Sequence, residues 1–372
     1  MNIKLKNIQF FCFICLSLFL LSCGNNQNKE LEILPPSKLV ITVVSNENGR
    51  IEIQARAENA NSYDFDSGDG KQTTTLKTND GKVIYTYSQA GNYTIKVRAF
   101  ATPTVFVEAT QAVTISINNT TGIPTQGYTS PESYQGYRLA WKEDFDGNSL
   151  SSDWKQEIGT GNGGWGNNEL QYYRPENTSV ENGLLVITAK KESFSGSDYT
   201  SSRIITQGKR SFKYGRIDIR AVMPEGQGLW PALWMLGESI STVGWPKCGE
   251  IDIMEMIGGE PVNNRTTHGT VHWDNNGTYA NFGKSYLKPN GKLSEQFHVY
   301  SVIWDEKAIR WYFDDILYNT VDITPAALSE FQANYFFIVN VAVGGKWPGS
   351  PNESTKFPQR MAVDYIRVFQ KN

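Results

Sequence analysis

The stretch Trp245-Pro246-Lys247-Cys248-Gly249-Glu250-Ile251-Asp252-Ile253-Met254-Glu255-Met256 carries three carboxylates close together. Side chains alternate across a β-strand, so Glu250 and Asp252 share one face and Ile251 and Ile253 take the other. Strict alternation would send Glu255 to the apolar side. One extra residue, a bulge at Met254, returns it beside the other two acids. Glu250 and Glu255 are then four effective steps apart, roughly 13 Å between Cα atoms. Side chains leaning together bring the carboxyls toward the ~5–5.5 Å of a retaining glycosidase. Like charges crowded on one face raise one another's pKa. That cost becomes useful in a reaction needing one carboxylate ionised and one protonated. A solvent-facing acidic strand is the competing reading, and the apolar opposite face and flanking tryptophans oppose it.

Other chemistries fare worse. Only His268, His272 and His298 occur, and no HExxH zinc motif is among them. Gly159-Thr160-Gly161-Asn162-Gly163-Gly164 spells GxGxxG, but no βαβ context surrounds it. Cys248 precedes Glu250 by two residues without a Cys–His signature, and reads as buried filler. A formal charge of −3 argues against a nucleic-acid partner. Ten Trp, 18 Tyr and 18 Phe supply too much apolar surface for a disordered chain.

The elements that must hold these acids read as all-β. Short runs rich in β-branched residues alternate with Gly/Asn/Asp turns, and no long amphipathic helix appears. Residues 1–22 read as a signal peptide: Lys4 and Lys6 precede an apolar run ending in Leu20-Leu21-Ser22-Cys23-Gly24, which resembles a bacterial lipobox. Cys23 is then the lipidation site, residues 23–37 a polar tether, and the protein an exported lipoprotein of the outer membrane or cell surface. Cys12 and Cys15 leave with the leader, so Cys248 stands alone and no intramolecular disulfide is expected. Residues 38–117 read as a small β-sandwich, with strands at Leu39–Val44, Ile51–Ala55 and Tyr93–Arg98. A Thr/Gly/Pro/Ser-rich linker spans 118–136, and 137–372 is one large sandwich. Within it, Tyr335–Val343 is apolar on both faces, as a buried strand would be, and Ala326–Phe331 suits one helical turn.

Two resemblances sharpen this reading. Tyr63-Asp64-Phe65-Asp66-Ser67-Gly68-Asp69-Gly70 followed by Tyr85-Thr86-Tyr87 and Gly91-Asn92-Tyr93-Thr94-Ile95-Lys96-Val97 resembles a PKD-type domain, with Tyr63 for the usual Trp and Ser67 inserted. Its acidic turn lacks the later Glu and helical flanks of a calcium loop, so its aspartates read as turn formers. The motif Glu250-Ile251-Asp252-Ile253-Met254-Glu255 resembles the active-site strand of glycoside hydrolase family 16, in its laminarinase-like branch. Supporting stretches are Gly166–Tyr173, Gly226–Leu236, Asn340–Gly349 and Met361–Phe369. The resemblance implies a β-jelly roll with an open cleft, a Glu250 nucleophile, a Glu255 acid/base and an Asp252 that hydrogen-bonds the nucleophile.

What grips a sugar follows in part from position. Trp230 and Trp234 share a strand face, while Trp245 and Trp347 sit in Gly/Pro-rich loops, where they can stack on pyranose rings. Trp273 is a weaker candidate. Asn168 and Arg203 resemble family positions that bond sugar hydroxyls, and His272 resembles one near the acid/base. His268 is a weaker site candidate, while His298 and Glu169 read as structural. No cofactor is implied for catalysis. The resemblance does imply a structural Ca²⁺ on Glu143, the Gly183 carbonyl and Asp364, hard donors suited to it. The expected partner is a β-1,3-glucan or mixed-linkage β-glucan, cut by an endo-acting monomer held to a membrane only by its lipid. The alternatives are the same enzyme on a galactan (agarose, carrageenan or porphyran) and a glycan-binding lipoprotein without turnover.

Overall fold

The computed structural model describes residues 33–372, except residues 48, 71–75, 88–89 and 117–121. Cys23 and the whole leader lie outside the described residues. Among the described residues strands dominate, and helix is confined to short turns such as Ile240–Val243 and the 3-10 turn Ala326–Gln332.

Two sheets make the N-terminal body. Ser37–Glu47, Arg50–Glu58 and Lys82–Thr86 form one, in that order. The second runs Leu76–Thr78, Ser62–Asp66, Gly91–Thr102, Val105–Ile115. Alternation in the sequence becomes alternation in burial: Ile51, Ile53 and Ala55 are buried, and Arg56 is exposed. The acidic turn is held by its own aspartates, as expected. Asp66 Oδ1 accepts the Gly68 N–H at 2.9 Å and Asp69 Oδ1 accepts the Ser67 hydroxyl at 2.8 Å.

The second body is a sandwich of a seven-stranded and a ten-stranded sheet. The seven-stranded sheet runs Thr278–Leu287, Thr266–Asn275, Glu250–Glu255, Leu229–Gly237, Tyr335–Val343, Arg203–Ile205, Lys155–Glu157, with every neighbouring pair antiparallel. Every residue of Tyr335–Val343 is buried, as its unbroken apolar run predicts. In the ten-stranded sheet, Gln359–Lys371 and Gly215–Val222 lie at the centre. Between the sheets pack Ile217, Ile219, Leu233, Ile251, Val271, Trp304, Trp311, Phe337 and Val339, all essentially without solvent contact.

The composition of residues 118–136 predicts a linker, and its described part, 122–136, packs on the sheet it leads to. Ile123 is buried against Val186, Val222, Phe297 and Ala362, apolar residues on the outer side of the ten-stranded sheet. Gly127 forms a parallel bridge to Phe297. A Cβ there would come 2.0 Å from the Phe297 carbonyl oxygen, and φ is +141°, so glycine alone permits the approach. Three further bonds fasten the segment: Tyr128 hydroxyl to Asp315 (2.7 Å), Ser130 N–H to Tyr365 hydroxyl (2.8 Å) and Tyr134 hydroxyl to Asp218 (2.7 Å). Hydroxyls and backbone amides spaced through a polar sequence find partners on a sheet that local pattern does not reveal.

Candidate active site

Two neighbouring strands fix where the acids point. Leu229–Gly237 sets Leu236 opposite Glu250, Trp234 opposite Asp252, Leu233 opposite Met254 and Ala232 opposite Glu255. Ile253 has no opposite number. The bulge therefore sits at Ile253, one residue earlier than the alternation suggests. On the other side Glu250 faces His272, Asp252 faces Thr270 and Glu255 faces His268. Ile251, Ile253 and Met254 all sink into the core between the sheets. Two consecutive inward residues are what a bulge produces, and the three acids emerge on one face.

The bulge is braced from behind. Trp311, fully buried in the other sheet, donates its indole N–H to the Asp252 carbonyl oxygen at 2.8 Å. Asn319 donates to the Gly269 carbonyl oxygen at 3.0 Å. These donors satisfy buried carbonyls beside the interrupted ladder, where an orphan would cost about 1–3 kcal/mol. Glycine at 269 makes room for this, since a Cβ there would lie 2.4 Å from the Trp311 ring.

The two glutamates have different companions. Glu250 accepts the Trp245 indole N–H at 3.0 Å, and His272 Nε2 lies 3.7 Å away. The same Nε2 is 3.0 Å from Asp252 Oδ2. Glu255 accepts the Trp230 indole N–H at 2.9 Å. Burial, then the charge of Asp252, pushes the Glu250 carboxyl up to about 8; His272, the Trp245 N–H and Arg203 oppose the rise. Asp252 is raised by burial and eased by a hydrogen bond with Glu250. Glu255 is raised well above the usual carboxylate range by burial, then by Asp252 and Glu250, against the pull of His272 and Trp230. Three buried acids within reach of one another thus retain protons that isolated acids would lose.

Aromatic rings rim this cluster. Trp347, 41% exposed, meets the Trp230 ring edge-on at 5.5 Å and the His268 ring at 4.9 Å. Trp245, 50% exposed, lies 5.1 Å from the Tyr279 ring. Trp234 donates to Asn340 Oδ1 at 2.7 Å. The Arg203 guanidinium sits over the rings of Trp165 (4.6 Å) and Trp234 (4.9 Å) and pairs with Glu157. Asn168 is exposed on the loop that also carries Trp165, and that loop is tied to the Trp347 loop through Lys346 N–H and the Asn167 carbonyl (2.8 Å).

Of the residues singled out from sequence, Glu250, Asp252, Glu255, Trp230, Trp245, His272 and Trp347 form one contact network. Trp234 and Arg203 adjoin it through Asn340 and the sheet register. Trp273 turns the other way, toward Phe331 in the core. Glu169 receives bonds from Asn167, Gln171 and Tyr173 and is structural, as read. His298 is buried and paired with Asp314. Cys248 is buried and its thiol pushed up to about 12 by burial and then by Glu250, which leaves no thiolate nucleophile. Sequence reasoning missed Tyr279, Asn340, Trp165 and Trp311. Tyr279 alone had a local signal, standing across a two-strand hairpin from the His272 strand.

An all-β sandwich that aligns three acids on one sheet face, with exposed indoles beside them, is the architecture of a carboxylate-dependent glycan hydrolase. Comparison with known proteins agrees. Residues 166–367 match the glycosyl hydrolases family 16, and residues 38–103 match the PKD domain. The beta-glucanase of Rhodothermus marinus is 40% identical, over 63% of this chain and 85% of that protein. The clotting factor G alpha subunit of Tachypleus tridentatus is 41% identical over 63% of this chain, which spans only 34% of its length. The laminarinase catalytic domain from Thermotoga maritima MSB8 superposes with a TM-score of 0.59 and 47% identity, covering 64% of this chain and all of that one. The chain belongs to glycosyl hydrolase family 16.

Proposed function

We propose that this protein hydrolyses internal linkages of β-1,3-glucan, of the laminarin or mixed-linkage type, with retention of anomeric configuration. The unequal surroundings of Glu250 and Glu255 carry the reading. Glu250, with the Trp245 N–H bonded to it and the charges of His272 and Arg203 acting on it, is the carboxylate that attacks the anomeric carbon. Glu255, crowded by two other acids, keeps its proton and gives it to the departing glycosidic oxygen. A glycosyl ester forms on Glu250. Glu255, now a base, takes a proton from water, whose oxygen attacks the same carbon and frees Glu250. Glu250 must be ionised to attack, and a proton held on Asp252, whose carboxyl burial also raises, would permit that. Exposed Trp245 and Trp347, on either side of the acids, offer flat faces to pyranose rings, as a neutral glucan requires. The relatives named as a beta-glucanase and a laminarinase support the same substrate class.

Reducing-sugar release from laminarin, lichenan, agarose, carrageenan and porphyran tests this directly. The proposal expects laminarin to be cut fastest and lichenan next. Exclusive cutting of a galactan, or binding without any release, would overturn it.

Two further parts of the proposal lie away from the cleft. Export and attachment through Cys23 rest on the leader sequence; labelled palmitate should enter the wild-type protein and be lost in Cys23→Ala. A structural Ca²⁺ on Glu143, the Gly183 carbonyl and Asp364 is what the family resemblance implies, with further acids nearby. The Asp146 carboxyl is raised by burial and by Asp144, Asp364 and Glu143 in turn, and a divalent cation would relieve that repulsion. Glu143 also receives the Ser151 hydroxyl (2.6 Å) and the Trp154 N–H (3.1 Å), and Asp364 the Arg220 guanidinium (2.7 Å), partners a bound cation would have to share. Chelation should lower the melting temperature by several degrees, and added calcium should restore it.

A further inference from the structure

The cleft holds more acid than its own cations balance. Among the described residues no lysine or arginine pairs with Glu250, Asp252 or Glu255, and the one basic side chain in contact is His272. Asp252 is only 2% exposed, and its Oδ2 is buried without a hydrogen-bond partner. Such an oxygen is costly unless something takes up its lone pairs. It is aimed at His272 Nε2, 3.0 Å away, and the same nitrogen lies 3.7 Å from Glu250 Oε1. Trp245 bonds the other oxygen of Glu250, Oε2, so Oε1 is left facing the imidazole. Register explains the grouping. His272 stands directly opposite Glu250 on the neighbouring strand, and Asp252, two residues on, is its diagonal neighbour on the same face.

One donor atom from each of these three residues lies within 4.8 Å of the other two. Zinc bonds of about 2.0–2.2 Å in a tetrahedron set neighbouring ligand atoms about 3.3–3.6 Å apart, and the observed 3.0 and 3.7 Å bracket that spacing. One imidazole with two carboxylates suits Zn²⁺ and similar transition ions, whereas Ca²⁺ and Mg²⁺ take oxygen ligands. The far nitrogen of the ring, Nδ1, is held by the Tyr279 hydroxyl at 2.7 Å, the outer bond that keeps a metal-ligating imidazole in place. We infer that Glu250 Oε1, Asp252 Oδ2 and His272 Nε2 form a site for a divalent cation of the Zn²⁺ type, and that an ion bound there blocks hydrolysis. The block rests on Glu250 as the nucleophile. An ion on Oε1, with Trp245 on Oε2, engages both oxygens that could attack the anomeric carbon. Ion and glucan therefore compete for one place.

Calorimetric titration of Zn²⁺ into the full chain tests the site, with circular dichroism to verify that each variant is folded. His272→Gln and Asp252→Asn should each bind Zn²⁺ at least about tenfold more weakly than wild type. Glu143→Gln, away from the cleft, should bind it as wild type does. Co²⁺ in place of Zn²⁺ should give a visible absorption band that His272→Gln and Asp252→Asn lose. In steady-state kinetics on laminarin, Zn²⁺ at about ten times its dissociation constant should raise KM about tenfold and leave kcat unchanged. Equal Zn²⁺ binding by wild type and both cleft variants, or a fall in kcat with KM unmoved, would overturn the inference. The titration needs no substrate, so its failure is separate from a failure to cut laminarin, which would overturn the proposed function instead.

Discussion

The two ends of one six-residue strand carry the same side chain in different company. At Glu250 the repulsion of one acid, Asp252, is opposed by an indole N–H, an imidazole and, further off, a guanidinium. At Glu255 there is an indole N–H and the repulsion of two acids, with His272 a weaker counterweight. Chemically identical residues therefore receive different tasks from what the neighbouring strands bring alongside them. The difference teaches that the roles are set by register. His272 stands opposite Glu250 and His268 opposite Glu255, and burial lowers the affinity of His268 for a proton, so it adds no cation at that end.

Removing either acid is the harshest way to break the comparison. Glu250→Ser should lower laminarin hydrolysis by about 10⁴-fold or more, since no covalent step remains. Glu255→Gln should cost about 10²–10⁴-fold, the range for loss of a general acid. Near wild-type reducing-sugar release from either variant would defeat the assignment.

Next in size come the aromatic faces. Trp245→Ala and Trp347→Ala each remove an exposed platform worth about 1–1.5 kcal/mol, so KM should rise roughly fivefold to tenfold in steady-state kinetics on laminarin. Trp245→Ala should also lower kcat, because its indole holds Glu250.

The subtlest test separates the ends by pH. Each indole N–H stabilises the charged form of its own glutamate, so deleting it raises that carboxyl's pKa. In Trp245→Phe the acid limb of the kcat/KM profile, set by an ionised nucleophile, should move to higher pH by about half a unit to one unit. In Trp230→Phe the alkaline limb, set by a protonated acid, should move up by a similar amount. Movement of the same limb in both variants would mean that the two glutamates are not differentiated.

Smallest for activity, though not for stability, is the segment behind the sheet. Ile123→Ala should cost about 2 kcal/mol and lower the melting temperature by roughly 4–8 °C, with hydrolysis at low temperature unchanged. Thermal denaturation followed by circular dichroism reads this, and an unaltered melting curve would make residues 122–136 a free linker after all.

Alternation was enough to place Glu250 and Asp252 on one face, because period-two patterning is written locally in the chain, and Glu255 joined them once a bulge was added to that pattern. The same logic set the bulge one residue late. Ile253 and Met254 are both apolar and both buried, so nothing in their chemistry says which one lacks a partner. The all-β class and the doubly buried Tyr335–Val343 strand were legible for the same local reason. Tyr279, Asn340 and Trp311 were not, since each reaches the site through pairing or packing with residues far away in sequence. Ile123 was hidden by its polar surroundings, as its contact surface is supplied entirely by another part of the chain.

The division of labour between the two glutamates is tested most directly by azide rescue of Glu250→Ala and Glu255→Ala on an activated β-glucoside, with the anomeric configuration of the glycosyl azide read by NMR. Without Glu250, azide must enter from the face the nucleophile used and yield the α-glycosyl azide. Without Glu255 the ester on Glu250 still forms, and azide displaces it to yield the β-glycosyl azide. The opposite pairing of variant and anomer, or the same anomer from both, would contradict the account.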